Sequence, residues 1–324
     1  YLMNYIVFDL EWNQCPGVKK GANKKIPFEI IEIGAVKLNN EKEVTDTFHQ
    51  MICPQVYNWI HESIHEVIHV DYKDLLEGVP FPRAAREFLE WCGTDYIFCT
   101  WGNQDLTEFQ RNLKYYDMLC LLPGPVYYYD AQKLFSWFHE HKKQRRGLEY
   151  AVDTLGLAKN RCFHRAEEDA EYTAEVFRCL DGDVIKPYLS VDVYQNPARK
   201  KEEIHISYPS YDKYISREFT DKEKIMKDRE VTSTRCPLCH IPAKRKIRWF
   251  MNNNSRVYES ISFCQEHGYV KGKIRIRKTD EGGYYAVKTI KNVDEEKAEE
   301  IREKRDSLRR KRRMHSAGAS QEKI

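Results

Sequence analysis

Phe8-Asp9-Leu10-Glu11 sets two acids two residues apart inside an apolar run. In a strand, residues i and i+2 project from one face, so Asp9 and Glu11 would point together. Two adjacent carboxylates resist joint ionisation unless a cation lies between them. Mg²⁺ suits such a pair, because it takes a few carboxylates and keeps several of its waters. A third acid, Asp105, follows Thr100-Trp101-Gly102-Asn103-Gln104, where an apolar strand gives way through a turn to a helix. Open α/β sheets bind ligands at such strand ends. His164-Arg165-Ala166-Glu167-Glu168-Asp169 supplies a histidine and a fourth acid. Along one helix His164 and Asp169 would lie about 140° apart, so they converge only if His164 sits on the loop before it.

A second set of chemically capable residues comes late. Cys236-Pro237-Leu238-Cys239 and Cys264-Gln265-Glu266-His267 are two Cys-x₂-ligand knuckles. Cys₃His is a standard structural zinc set, closed by four protein ligands. His240 is an alternative ligand, with poor geometry beside Cys239. The other seven cysteines are scattered in mostly apolar contexts and read as small buried hydrophobes of a reducing compartment.

These residues need elements to hold them. Strand patterns occur at Tyr5–Leu10, Ile30–Leu38, Val44–Ile52, Tyr96–Thr100 and Val126–Tyr129. Helical patterns occur at Asn58–Ile68, Arg83–Trp91, Leu106–Tyr116, Ala131–His139, Leu148–Leu155 and Glu167–Leu180. Five strands with interspersed helices predict an α/β layered domain, and the Asn39-Asn40 turn between two adjacent strands makes its sheet mixed. The predicted organisation is an enzyme domain over residues 1–190 and a linker over 191–233, with a short helix near Asp221–Arg229. A small four-stranded β domain over 234–290 and a charged helix or basic tail over 291–324 complete it. The 324 residues are ample for two domains. Residues 1–198 hold 21 Lys and Arg against 30 Asp and Glu, a net of −9, whereas residues 199–324 hold 32 against 20, a net of +12. A basic half implies a polyanionic partner or a solvated basic surface. No apolar run reaches the length of a membrane span, no secretory signal pattern opens the sequence, and the cytoplasm is the expected location.

Asp-x-Glu on an early strand, an Asp after Trp-Gly, and His-x₄-Asp beyond it together resemble the DEDDh exonucleases. Ile30-Ile31-Glu32-Ile33-Gly34-Ala35-Val36 looks like that family's second strand. The resemblance covers about residues 4–182 and lies nearest to the KapD-like and histone-mRNA 3′ exonuclease domains. It implies a ribonuclease H-like mixed five-stranded sheet and 3′-5′ hydrolysis of single-stranded nucleic acid, with nucleoside 5′-monophosphates released. It implies two Mg²⁺ or Mn²⁺ ions held by Asp9, Glu11, Asp105 and Asp169, with His164 as the base. Its nearest-looking members favour RNA. DNA repair or proofreading remains an alternative, as does a nucleic-acid-binding platform without catalysis. Trp12 is a candidate base- or ribose-stacking residue or a core aromatic, and Arg165 a candidate phosphate contact or a surface arginine. The late knuckles read as a zinc-ribbon-like module with one structural Zn²⁺, flanked by basic and aromatic residues suited to nucleic acid.

Overall fold

The computed structural model describes residues 3–15, 23–60, 72–141, 144–252 and 256–321. The chain divides into two units, Tyr1–Gln195 and Asn196–Ile324.

The first unit is built on one sheet. Its strands are β1 (Asn4–Gln14), β2 (Phe28–Leu38), β3 (Val44–Cys53), β4 (Val79–Pro80), β5 (Tyr96–Thr100), β6 (Tyr127–Asp130) and β7 (Ser190–Val191), in the order β4-β3-β2-β1-β5-β6-β7. β2 runs antiparallel to β1 and β3, whereas β1, β5 and β6 are parallel. The sheet is mixed, as expected, but has seven strands where five were expected. The additional β4 and β7 are two residues each, too short to leave any alternation in the sequence.

β1 lies at the centre because both its faces are apolar. Ile6, Phe8 and Leu10 enter one core with Phe88 of α1 (Phe81–Cys92) and Phe109 of α2 (Gln104–Tyr115). Phe8 is fully buried, its ring 5.0 Å from that of Phe98 and 5.7 Å from that of Phe88. Burial of one such side chain contributes roughly 1.5–3 kcal/mol. Val7 faces the other way, with Val36 of β2 and with Ala170, Ala174 and Phe177. Those three belong to α4 (Ala166–Cys179), which follows α3 (Leu148–Thr154). Helices therefore cover both faces of the sheet, and Asp9 and Glu11 share the α4 face with Val7. The expected helix at Asn58–Ile68 falls outside the described residues beyond Ile60, and residues 58–60 are not helical. The segment Ala131–His139 is α-helical to Leu134 and then widens into a π-turn.

The second unit corrects two expectations. Residues 191–233 are not a linker. Ser190–Val191 closes the first sheet, and β8 (Ile204–Tyr208) and β9 (Tyr211–Ile215) belong to a second one. These strands escaped notice because each has five residues and polar groups on alternate positions. Nor are residues 234–290 a small separate β domain. β10 (Lys244–Met251), β11 (Val257–Cys264), β12 (Gly268–Lys278) and β13 (Tyr284–Asn292) join β9 and β8 in a six-stranded antiparallel sheet, ordered β10-β11-β12-β13-β9-β8. The short helices Lys222–Lys227 and Arg229–Thr232 close one face, where Ile225 and Val231 pack on Tyr214, Ile274, Ile276 and Ala286. On the other face Ala298 and Ile301 of α5 (Glu295–Gln321) meet Ile247 and Ile261. Of the two readings for the C-terminal segment, the helix is the one found.

Candidate active site and metal centres

The site begins with the register of β1 against β2. Asp9 stands opposite Gly34 and Glu11 opposite Glu32. A bulge between Glu11 and Trp12 then shifts the pairing by one residue. The extra residue is Ile31 of β2, so the alternation of β1 runs on and Trp12 shares the face of Ile6, Phe8 and Leu10, packed at the border of their core with its ring 5.8 Å from that of Phe28.

Gly34 decides how closely α4 can approach. A Cβ there would lie 2.1 Å from the backbone carbon of Ala166 and 2.2 Å from the backbone nitrogen of Glu167. Only glycine tolerates this contact, and it lays the first turn of α4 beside Asp9. Asp169 sits in that turn, and His164 precedes the helix on the loop, as convergence requires. His164 adopts a left-handed φ of 67°. Its backbone N–H donates to Asp169 Oδ2 at 3.1 Å, which ties the loop to the helix. The His164 side chain is exposed at the rim. Asp105 reaches the site from the first turn of α2, 6% exposed, and accepts from the backbone N–H groups of Asp105 and Leu10.

Carboxylate oxygens of Asp9, Glu11 and Asp169 all lie within 4.8 Å of one another. Asp105 is outside that mutual set, yet it is the strongest carboxylate neighbour of Asp9. Burial first, and the neighbouring acids second, push the Asp9 carboxyl well above its usual range. Burial with Asp169 and Glu32 pushes Glu11 up to about 8. Burial also lifts Asp105 to about 7 and Asp169 to about 6, although backbone hydrogen bonds oppose both shifts. Asp169 Oδ1 is buried without a hydrogen-bond partner. Crowded acids that lack protons or counter-ions, with a bare oxygen among them, are the donor set a divalent ion stabilises.

Around this cluster lies a network that the sequence reading did not find. Glu32, 1% exposed, accepts from Arg165 Nε at 3.2 Å and from Arg165 Nη2 at 3.0 Å. His49 Nε2 is 2.8 Å from the same carboxylate. Burial alone would raise the Glu32 carboxyl, but the bonds from His49 and Arg165 outweigh it and hold the group below its usual value. A buried carboxylate thus engages the Arg165 guanidinium in the fork geometry that arginine favours, while the side chain stays 32% exposed. The one sequence signal was an acid within the apolar run Ile30–Val36.

In the second unit, Cys236, Cys239, Cys264 and His267 bring one ligand atom each within 4.8 Å of one another. Cys239 Sγ and Cys264 Sγ are 3.6 Å apart, and His267 Nδ1 is 3.6 Å from Cys236 Sγ and 3.8 Å from Cys264 Sγ. A tetrahedral zinc site with Zn–S of about 2.3 Å has edges of about 3.7 Å. Burial opposes ionisation of the Cys236 thiol, but the backbone N–H groups of Cys239 and Leu238 bring it down to about 7. The four residues therefore fit a zinc ion. His240 lies outside the cluster, 3.8 Å from Asp212.

Residues 6–177 match the family model described as Exonuclease, RNase_T. A rat protein named 3′-5′ exoribonuclease 1 is 24% identical over 159 residues, which are 46% of this chain and 45% of the relative. A PolC-type DNA polymerase III from Caldanaerobacter subterraneus subsp. tengcongensis is 27% identical over 176 residues, 53% of this chain and 11% of that one. The chain thus spans less than half the length of these curated relatives. Among solved structures, the nuclease domain of 3′hExo, a DEDDh family member bound to rAMP, is similar with a TM-score of 0.49 and 19% identity, covering 59% of this chain and 97% of that domain. The family match takes in more than half of the sequence and contains every residue of the carboxylate cluster: the chain belongs to the RNase_T exonuclease family.

Proposed function

We propose that this protein is a metal-dependent 3′-5′ exonuclease that shortens single-stranded nucleic acid, with RNA favoured, and releases nucleoside 5′-monophosphates. The observation that carries this reading is the crowded set of half-buried Asp9 and Glu11 with buried Asp105 and Asp169, their carboxyls raised and Asp169 Oδ1 unpartnered. Two Mg²⁺ or Mn²⁺ ions bound there would make a nucleophile of water at neutral pH and offset charge on the leaving 3′ oxygen. The grouping supports a division of labour. Asp9, Glu11 and Asp169 form one mutual set that would hold one ion, and Asp105 beside Asp9 would serve the other. His164, exposed beside Asp169, takes the proton of the attacking water, a role to which imidazole is suited near neutral pH. Arg165 and Glu32 brace the loop that carries it. The preference for RNA rests on the exoribonuclease relative, and the polymerase relative keeps DNA as the second reading.

The Cys236, Cys239, Cys264 and His267 set would hold one structural Zn²⁺, closed to substrate by its four protein ligands. All ten cysteines are free, which supports a reducing compartment, the cytoplasm. Among the described residues no helix is long and apolar enough to cross a membrane.

The test is degradation of 5′-labelled single-stranded RNA and matched DNA with Mg²⁺ or Mn²⁺, beside an Asp9→Ala control. Stepwise shortening from the 3′ end, lost in the variant, is expected, with RNA the faster substrate. Tight binding with no shortening of either strand would refute the reading in favour of a binding platform.

A further inference from the structure

Side chains of β12 alternate between the sheet's two faces. Val270, Ile274 and Ile276 are buried, whereas Lys271, Lys273, Arg275 and Arg277 project from the opposite face, the last two exposed. One carboxylate answers this row. Glu259 of β11 stands opposite Lys273 and is 4% exposed. It is engaged by Lys271 at 2.9 Å and by Lys304 of α5 at 2.5 Å. Among the described residues, no ion pair joins Lys273, Arg275 or Arg277. Lys273 is half-buried, and both burial and the adjacent Arg275, Lys271 and Lys304 hold its ammonium below the usual range. Like charges at alternate strand positions recur every ~6.8 Å, a one-dimensional array of unanswered positive charge. Solvent alone gives no reason to gather them, and the second sheet lies in the half of the chain that carries the net +12.

We propose that the ladder Lys273, Arg275 and Arg277 is a binding track for the phosphate backbone of single-stranded nucleic acid, holding the body of the strand whose 3′ end is shortened. The proposal rests on the exonuclease reading for its ligand, and the charge complementarity is its own. An extended strand supplies a line of phosphates to a line of cations, and each contact releases condensed counterions.

The test uses the full chain in an Asp9→Ala background, which prevents degradation, with fluorescent oligouridylate as probe at several salt concentrations. The substitutions are Lys273→Gln, Arg275→Gln and Arg277→Gln together. Lys271 stays, so the Glu259 pair is preserved. With a slope of about 0.7 per phosphate contact, the log–log salt dependence is expected to flatten by about 2. If the triple variant melts early, the exposed pair Arg275→Gln and Arg277→Gln alone should flatten it by about 1.4. An unchanged slope in a folded variant overturns the proposal, as does stronger binding to phosphatidylserine vesicles than to the oligonucleotide. With Asp9 intact, the variant should hydrolyse a dinucleotide at the unsubstituted rate, since so short a substrate does not need the track. Equal loss on dinucleotide and oligonucleotide overturns the proposal. A parent chain that binds oligouridylate but shortens neither it nor a dinucleotide refutes the exonuclease reading and leaves the track in place.

Discussion

Replacing Gly34 by alanine tests how the site is assembled. The added Cβ would lie 2.1 Å from the Ala166 carbonyl carbon, 2.2 Å from Glu167 N and 2.3 Å from Ala166 O. All three are backbone atoms, so no side chain can rotate out of the way. Ordinary contact begins near 3.4 Å, and the start of α4 must withdraw from β2 by about 1.3 Å. Asp169 is three residues further along the same helix and moves with it, away from a cluster in which its oxygens lie within 4.8 Å of those of Asp9 and Glu11. A displacement of about 1 Å in a reacting constellation costs on the order of a hundredfold in rate, or about 2.7 kcal/mol in the barrier. The assay is initial-rate shortening of 5′-labelled RNA at saturating Mg²⁺, with half-saturation by Mg²⁺ and thermal melting measured alongside. Gly34→Ala should lose about a hundredfold in kcat and need more Mg²⁺ while still melting cooperatively. Gly182→Ala is the control, because its Cβ would meet only Lys42 Cε at 3.9 Å. A folded Gly34→Ala enzyme within threefold of the parent would show that close approach of α4 does not position Asp169.

Three further outcomes follow from the same geometry. Arg165→Ala should lower kcat about 10- to 100-fold, the usual cost of removing a group that orients a functional residue. In a His164→Ala background it should have little further effect, because both changes disable the same loop; fully additive losses would assign Arg165 a role apart from His164. The raised carboxyls of Glu11, Asp105 and Asp169 mean that the metal-free folded state keeps protons which the unfolded chain releases. Their stabilising contribution is full below about pH 4 and is lost as pH rises through about 6 to 8. Mg²⁺ should therefore raise the melting temperature little at pH 5 and strongly at pH 8, and equal shifts at both would count against the metal site. Purified protein should contain about one zinc per chain, Cys264→Ser should lose it, and the second unit should then melt at lower temperature; an unaltered zinc content in that variant would dismiss the Cys₃His assignment.

The sequence made most of the first unit legible, for reasons that are local. Phe8-Asp9-Leu10-Glu11 fixes a strand and the shared face of two acids at once, and an acid after Trp101-Gly102 marks a strand-to-helix turn. Among the described residues of that unit, every strand of four or more residues has a sequence pattern: β1, β2, β5 and β6 carry largely apolar runs, and β3 follows β2 across the Asn39-Asn40 turn. What stayed hidden depends on register or on contact between distant segments. Glu32 meets Arg165 only because β2 pairs with β1 and α4 crosses above it, and no spacing in the sequence encodes the 133 residues between them. Gly34 gives no sign by itself that a helix backbone rests on it. The bulge at Ile31 of β2 shifts the pairing of the two strands by one residue, and no feature of the sequence marks it. β8 and β9 leave little trace in the sequence because such short, polar strands gain their stability from pairing, β9 with β13 and β8 with β9.

The pair of glutamates at the centre of the sheet supports the proposal that the carboxylate cluster is a site. Glu11 and Glu32 stand opposite each other on adjacent strands. Glu32 is buried and Glu11 half-buried, and burial acts to raise both carboxyls. The fold gives Glu32 a bidentate arginine and a histidine, which hold it ionised. That is the expected treatment of a buried structural acid, since an unpaired buried charge is strongly destabilising. Glu11 receives no ion pair among the described residues, only the distant pull of Arg165, and stands among Asp9, Asp105 and Asp169 with its carboxyl up at about 8. The sequence therefore had a means of neutralising a buried acid at this point of the sheet and used it one strand away. An acid left without an ion pair beside one so fully satisfied either keeps its proton or takes a cation from outside, and the unpartnered Oδ1 of Asp169 stands beside it. Arg165 serves both sides of this contrast. Its guanidinium engages Glu32, and its backbone follows directly on His164, so the structural acid anchors the loop that carries the proposed base to the carboxylates it serves.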